Sequence, residues 1–256
     1  MTTTTPASRT VSTADTKLLW GMAAARCAFP QCRRVCSAPS TTLDPAVVLG
    51  EMAHIVAHSD LGPRGDPEYP AERRATYENM ILLCSPHHTT VDRQPNSYTM
   101  SDLRTWKTDH ESWVRVRLAQ EMPNVGFAEL EVVTRAILAL PEQPNTSYAV
   151  TPPAEKMAKN GLSSRVRLTL QMGLAGGPEV EKFVDYVGVR DSEFPERLRS
   201  GFLLKYEQLR AEGLRGDAVF HSLVEFASGP SSDILRIAAG LAVVGYLFMT
   251  CEVFEK

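Results

Sequence analysis

The sequence predicts an α+β protein in two parts: a small metal-stabilised domain of short strands and helices, then an all-α domain. Three observations carry this expectation. The first half holds two close Cys/His pairs among short apolar runs cut by Gly and Pro. A stretch with four prolines, 141–153, reads as a linker. From Glu155 onward the apolar residues recur with helical spacing.

Composition narrows the class. Of 256 residues, 43% are apolar and 22% charged, which excludes wholesale disorder and supplies enough material for a sizeable core. Lys plus Arg number 27 against 30 Asp plus Glu, for a net charge of −3. Residues 1–122 carry 13 of each sign, and residues 123–256 carry 14 basic and 17 acidic. Neither part has the basic excess that grips nucleic acid by charge alone. Five cysteines with no apolar leader argue for a reducing cytoplasm, where clustered Cys and His bind metal rather than form bridges.

The elements follow in chain order. Residues 1–13, rich in Thr and Ser, form a disordered tail. A helix from Ala14 presents Leu18, Leu19, Met22 and Ala23 on one face and ends near Arg26. Cys27–Cys36 is a loop or knuckle, and Val47–Ile55 a strand. Gly62-Pro63, Gly65-Asp66 and Pro70 punctuate the following loop, in which Arg64 either pairs with Asp66 or meets a phosphate. Met80–Leu83 is a brief apolar stretch, and Pro86 starts a helix. Ser101 caps a long helix with Leu103, Trp106, His110, Trp113 and Val114 on one face. Domain boundaries fall at 14–122 for the metal-bearing domain, 123–154 for a connecting helix (126–140) and linker, and 155–256 for the all-α domain. That last part divides into helices at 164–172, 179–187, 193–213, 217–227 and 233–254. Its final apolar run, Ile234–Cys251, is broken by Arg236 and its uncharged part is too short to span a bilayer, so it reads as a buried core helix.

Two constellations carry chemistry. Cys27-x4-Cys32 and Cys84-x2-His87 are two pairs separated by a longer segment, the spacing a tetrahedral zinc site requires; the bland alternative is buried thiols beside a surface imidazole. Cys36 could replace Cys32 but is expected to lie outside the site. His88 and Asp92, at i and i+4 after Pro86, fall on one helix face and can bind a divalent cation together.

The order His54, Asn79, His88 resembles the HNH endonuclease motif, and the stretches RCAFPQC, GEMAHIVAHSDLGPRGD, ENMILLCSPHH and YTMSDLRTWKTDHE look like signatures of one HNH subgroup common in bacterial defence proteins. The resemblance implies a zinc-stabilised ββα-metal fold. It implies that His54 is the general base, that Asn79 holds the loop and orients His54, and that His88 and Asp92 bind Mg²⁺ or Mn²⁺ at the scissile phosphate of double-stranded DNA. Cys27, Cys32, Cys84 and His87 would hold a structural Zn²⁺, and Arg64 is a candidate DNA contact. Many such enzymes carry a further metal ligand immediately before the base. This chain has Ala53 there, and Glu51, on the same side of the strand, could compensate.

In the C-terminal part, PPAEKMAKNGLSSRV and GDAVFHSLVEFASG with the run through AAGLAVVGYLFMTCEVFEK resemble effector subunits of Lamassu-type anti-phage systems. That resemblance implies an SMC-like ABC ATPase and a small middle subunit as partners. The expected function is therefore a DNA-cutting defence effector that forms homo-oligomers on activation, with no membrane role. The rival readings are a zinc-stabilised DNA-binding scaffold with a decayed site, an HNH effector triggered by a cyclic nucleotide, and a membrane-disrupting effector using the apolar C-terminal helix.

Overall fold

A computed structural model describes residues 10–138, 153–229 and 231–250, and the chain divides into two compact units, 1–114 and 115–256. Residues 1–9 of the tail expected at 1–13, residues 141–152 of the linker expected at 141–153, and the ends of the helices expected to reach 140 and 254 lie outside the described residues, as does Cys251; Ser12 and Thr13 instead begin the first helix, and Pro153 begins a later one. The fold is mixed: helices predominate, with two small antiparallel sheets.

In the first unit, α1 spans Thr13–Met22 and is capped by Ser12, whose hydroxyl accepts the Asp15 amide. It stops four residues short of Arg26. Ala24 and Ala25 have left-handed backbones (φ 48° and 51°), and the Ala25 carbonyl accepts from Cys36 instead of continuing the helix.

The strand expected over 47–55 is two strands with different partners. Val47–Val48 (β2) pairs with Ser37–Ala38 (β1), and Gly50–His54 (β3) pairs with Met80–Cys84 (β4). Leu49 marks the changeover, its amide bonding to the Cys36 carbonyl. Gly50 is required there, because a Cβ would lie 2.5 Å from that of Cys36.

All five β4 residues are buried, and Met80, Ile81, Leu82 and Leu83 pack with Leu18, Leu19 and Met22 of α1 and with Leu103 into one core. Each such side chain contributes about 1.5–3 kcal/mol. Helix α2 (Ser85–Arg93) follows β4 directly, with Pro86 in its first turn, and packs across β3 and β4.

Helix α3 (Met100–Glu121) starts before Ser101. Its cap is Thr99: the Asp102 amide donates to the Thr99 hydroxyl while Asp102 accepts the Thr99 amide, a reciprocal capping box.

Among its described residues the second unit has helices and no strand: the end of α3, then α4 (Phe127–Leu138), α5 (Pro153–Lys159), α6 (Ser164–Gly188), α7 (Phe194–Ala211), α8 (Gly216–Ser228) and α9 (Ile234–Thr250). The two helices expected at 164–172 and 179–187 are one continuous α6. Gly176-Gly177-Pro178 reads as a breaker, yet here the small residues let α6 press against α9. A Cβ on Gly173 would lie 2.6 Å from the Leu241 carbonyl, and one on Gly245 would lie 2.3 Å from the Gly173 carbonyl carbon.

Helix α9 packs against α6, α8 and α4, and Ala238 through Gly245, Leu247 and Phe248 are buried. No helix among the described residues is long and apolar enough to cross a membrane.

Candidate metal centre and active site

Four ligand atoms converge at one end of β4. Cys27 follows the unwound end of α1; its amide bonds to the Arg34 carbonyl, and the next amide, of Ala28, bonds to Leu82 in β4. The chain then turns back through Gln31 and Arg33, both left-handed (φ 60° and 51°), and this turn brings Cys32 to the same point. Cys84 ends β4 and His87 lies in the first turn of α2, so the strand-to-helix junction fixes their spacing.

The His87 Nδ1 is 3.2 Å from the Cys84 sulfur and 3.5 Å from that of Cys27, and the ligand atoms of Cys27, Cys32, Cys84 and His87 all lie within 4.8 Å of one another. A tetrahedral zinc with bonds of about 2.0–2.3 Å sets its ligands roughly 3.5–3.8 Å apart, so the quartet fits.

Burial pushes the Cys27 thiol up, and the neighbouring Cys84 and Cys32 add to the shift, so a thiolate here needs a cation to hold it. Phe29 stacks on His87 with ring centroids 3.9 Å apart and meets Trp106 edge-on, which fixes the imidazole plane.

Cys36 stays outside the group. It is fully buried in the core, and burial pushes its thiol up to about 12.

A second cluster occupies β3, the 55–79 loop and α2. His54 ends β3 opposite Met80. Burial pushes its pKa below the ordinary value, the neighbouring His58 adds to this, and Asp92 opposes it. The His54 Nε2 is buried without a hydrogen-bond partner, as is that of His58, whose ring stands edge-on to it at 6.2 Å.

Asn79, 1% exposed, spends its side chain on the turn after His54. Its oxygen accepts the Val56 amide, and its nitrogen donates to the carbonyls of Val56 and Arg74. Its backbone carbonyl accepts from Ile55.

On α2, the His88 Nε2 is 3.6 Å from Asp92 Oδ2, and its Nδ1 is 2.9 Å from Glu51 Oε2. His88 and Asp92 therefore share a face as their spacing requires, and both are partly open to water.

Arg64 does not pair with Asp66 and is not a surface contact. Its guanidinium donates to the carbonyls of His54, Ile55 and Val91 and to Asp92 Oδ1 at 2.6 Å, and its side chain is 3% exposed. Gly65 beside it is obligatory, because a Cβ would lie 2.1 Å from the Asp60 carbonyl oxygen.

Arg74, which sequence reasoning passed over, is the second organiser of this loop. It donates to the carbonyls of Ala57, His58, Asp66 and Tyr69 and to Asp60. Nothing in the sequence separates it from the adjacent Arg73.

Arg33 is likewise engaged inside the unit, over the Trp113 ring and 2.6 Å from His110 Nδ1. Since Arg can only donate, His110 accepts at Nδ1 and donates from Nε2 to the Ala23 carbonyl, so it is held neutral. His110 and Trp113 are thus both engaged inside the unit.

Neither family models nor curated proteins give a match to this chain.

For a divalent cation, His88 and Asp92 offer one imidazole nitrogen and one carboxylate oxygen. Among the described residues, three or more ligand atoms converge at the Cys/His quartet alone.

Proposed function

We propose that this chain is a metal-dependent endonuclease of the HNH type, which hydrolyses DNA phosphodiester bonds as the effector of a bacterial anti-phage system. One observation carries the reading. His54, Asn79, His88 and Asp92 gather on a β3–β4–α2 unit in which Arg64 bonds both the His54 carbonyl and the Asp92 carboxylate.

In this mechanism His54 removes a proton from the attacking water. Its depressed pKa keeps the ring neutral and ready to accept at neutral pH. Asn79 and Arg64 fix the backbone from the His54 carbonyl through Ile55 to the Val56 amide, just after that imidazole. His88 and Asp92 would hold a Mg²⁺ or Mn²⁺, which would supply positive charge at the scissile phosphate. The Cys/His quartet, loaded with zinc, takes no part in the chemistry and stiffens a unit whose core is small.

The helical unit is the control or assembly module, contacting an SMC-like ATPase and its small middle subunit or a second copy of the chain. With Arg33 and Arg64 engaged internally and a near-neutral charge balance, DNA is held weakly by one chain and delivery depends on those partners.

The test is plasmid nicking by purified, zinc-loaded protein. Cutting should require Mg²⁺ or Mn²⁺ and should stop when these are withdrawn while zinc is retained. A second reading, a DNA-binding scaffold with a decayed site, is favoured by Ala53 and by the engagement of Asp92 Oδ1 with Arg64. Retention of plasmid without cutting under those conditions would select it.

A further inference from the structure

Glu51 is a carboxylate in contact with the candidate cation pair, on the His88 ring, to which the reading above gives no role. It sits on β3 opposite Leu83, three residues before His54, and the same strand therefore carries both. Its Oε2 lies 2.9 Å from His88 Nδ1, whereas Asp92 Oδ2 lies 3.6 Å from His88 Nε2. The two carboxylates thus meet different nitrogens of one ring. A cation seated between His88 Nε2 and Asp92 is out of reach of Glu51 while Glu51 holds Nδ1.

An ionised carboxylate only accepts, so Nδ1 carries the proton in this contact. A neutral ring protonated at Nδ1 keeps its lone pair at Nε2, facing Asp92. The opposite tautomer, which free imidazole side chains prefer in water, would aim an N–H at the place where a cation must sit. A ligating imidazole whose other nitrogen donates to a carboxylate is the usual arrangement at metal sites, and the carboxylate sets tautomer and ring orientation.

We propose that Glu51 is a positioning residue: it accepts the Nδ1 proton of His88 in a hydrogen bond and thereby turns the Nε2 lone pair toward Asp92. This rests on the reading of His88 and Asp92 as a divalent-cation pair. It replaces the expectation that Glu51 is itself a ligand standing in for the residue missing at Ala53.

The test uses the full zinc-loaded chain with ¹⁵N-labelled histidine, free of Mg²⁺ and Mn²⁺. Long-range ¹H–¹⁵N spectra report the His88 tautomer, and electron paramagnetic resonance follows Mn²⁺ binding. Wild type should show His88 protonated at Nδ1. Glu51→Gln, which keeps an acceptor oxygen, should retain that tautomer and bind Mn²⁺ within a few-fold of wild type. Glu51→Ala should move the proton to Nε2 and weaken Mn²⁺ about 10–100-fold.

A wild-type His88 protonated at Nε2, an unchanged tautomer in Glu51→Ala, or no Mn²⁺ binding by wild type would each overturn the proposal. So would Glu51→Gln losing Mn²⁺ as fully as Glu51→Ala with its tautomer intact, since Glu51 would then be a direct ligand. Neither measurement contains DNA. A chain that passes both and cuts nothing sinks the nuclease reading and leaves the role of Glu51 standing.

Discussion

Arg64 Nη2 and Asp92 Oδ1 lie 2.6 Å apart, and through this pair one buried guanidinium joins the strand bearing His54 to the helix bearing His88. Removing it strands a carboxylate and leaves three carbonyls without their donor. Arg64→Ala should cost about 3 kcal/mol of stability in the first unit, read from denaturant unfolding. Arg64→Lys keeps the charge but loses the planar fork, so it should recover only part of that loss. A change under 0.5 kcal/mol for Arg64→Ala would mean that the pair is ornamental.

The Cys/His quartet should hold one zinc per chain by elemental analysis. Cys27→Ser or Cys84→Ser should abolish that stoichiometry and unfold the first unit at temperatures where the helical unit persists, giving two separated transitions in calorimetry. Cys36→Ser should leave the zinc content at one per chain, because Cys36 stands outside the quartet.

His110 is nearly fully buried and held neutral between Arg33 and the Ala23 carbonyl, and burial lowers its pKa to about 4. The unfolded chain, with an ordinary imidazole near 6.5, binds the proton first as pH falls. The stability His110 contributes is therefore complete above about pH 6.5 and is lost as pH drops toward 4, by on the order of 2–3 kcal/mol. Denaturant midpoints across that window should fall more steeply for wild type than for His110→Gln. Parallel slopes would mean that His110 contributes nothing to this pH dependence.

In the helical unit, Gly245→Ala would push a methyl group into the backbone of α6 at Gly173. The two helices must separate, at a cost of about 1–3 kcal/mol measured by thermal unfolding. Gly177→Ala, where a Cβ meets nothing, serves as the control and should be neutral or mildly stabilising.

Much of this site is legible in the sequence because its chemistry depends on short-range spacing. Cys84-x2-His87 spans a strand-to-helix junction, and His88 with Asp92 spans one helical turn, so local geometry brings each pair together whatever the rest of the chain does. Arg64 was not legible. Its partners lie 9 to 28 residues away, and a Gly-Pro-Arg-Gly-Asp turn looks like a solvated loop until α2 packs over it. Arg74 escaped for the same reason. The changeover at Leu49 and the continuity of α6 depend on tertiary partners too: a run of apolar residues does not say which strand it pairs with, and Gly-Gly-Pro does not announce that a helix is waiting to pack on it.

The proposed role of His54 as the base in DNA cleavage is tested most directly by comparing plasmid nicking rates of wild type and His54→Ala at equal zinc content in saturating Mg²⁺. Wild type should convert supercoiled plasmid to the nicked form, with a rate that holds down to about pH 6.5, because the His54 pKa lies below its ordinary value. His54→Ala should be slower by about 10²–10⁴-fold. Equal rates for the two proteins, or no cutting by a zinc-loaded wild type, would contradict it.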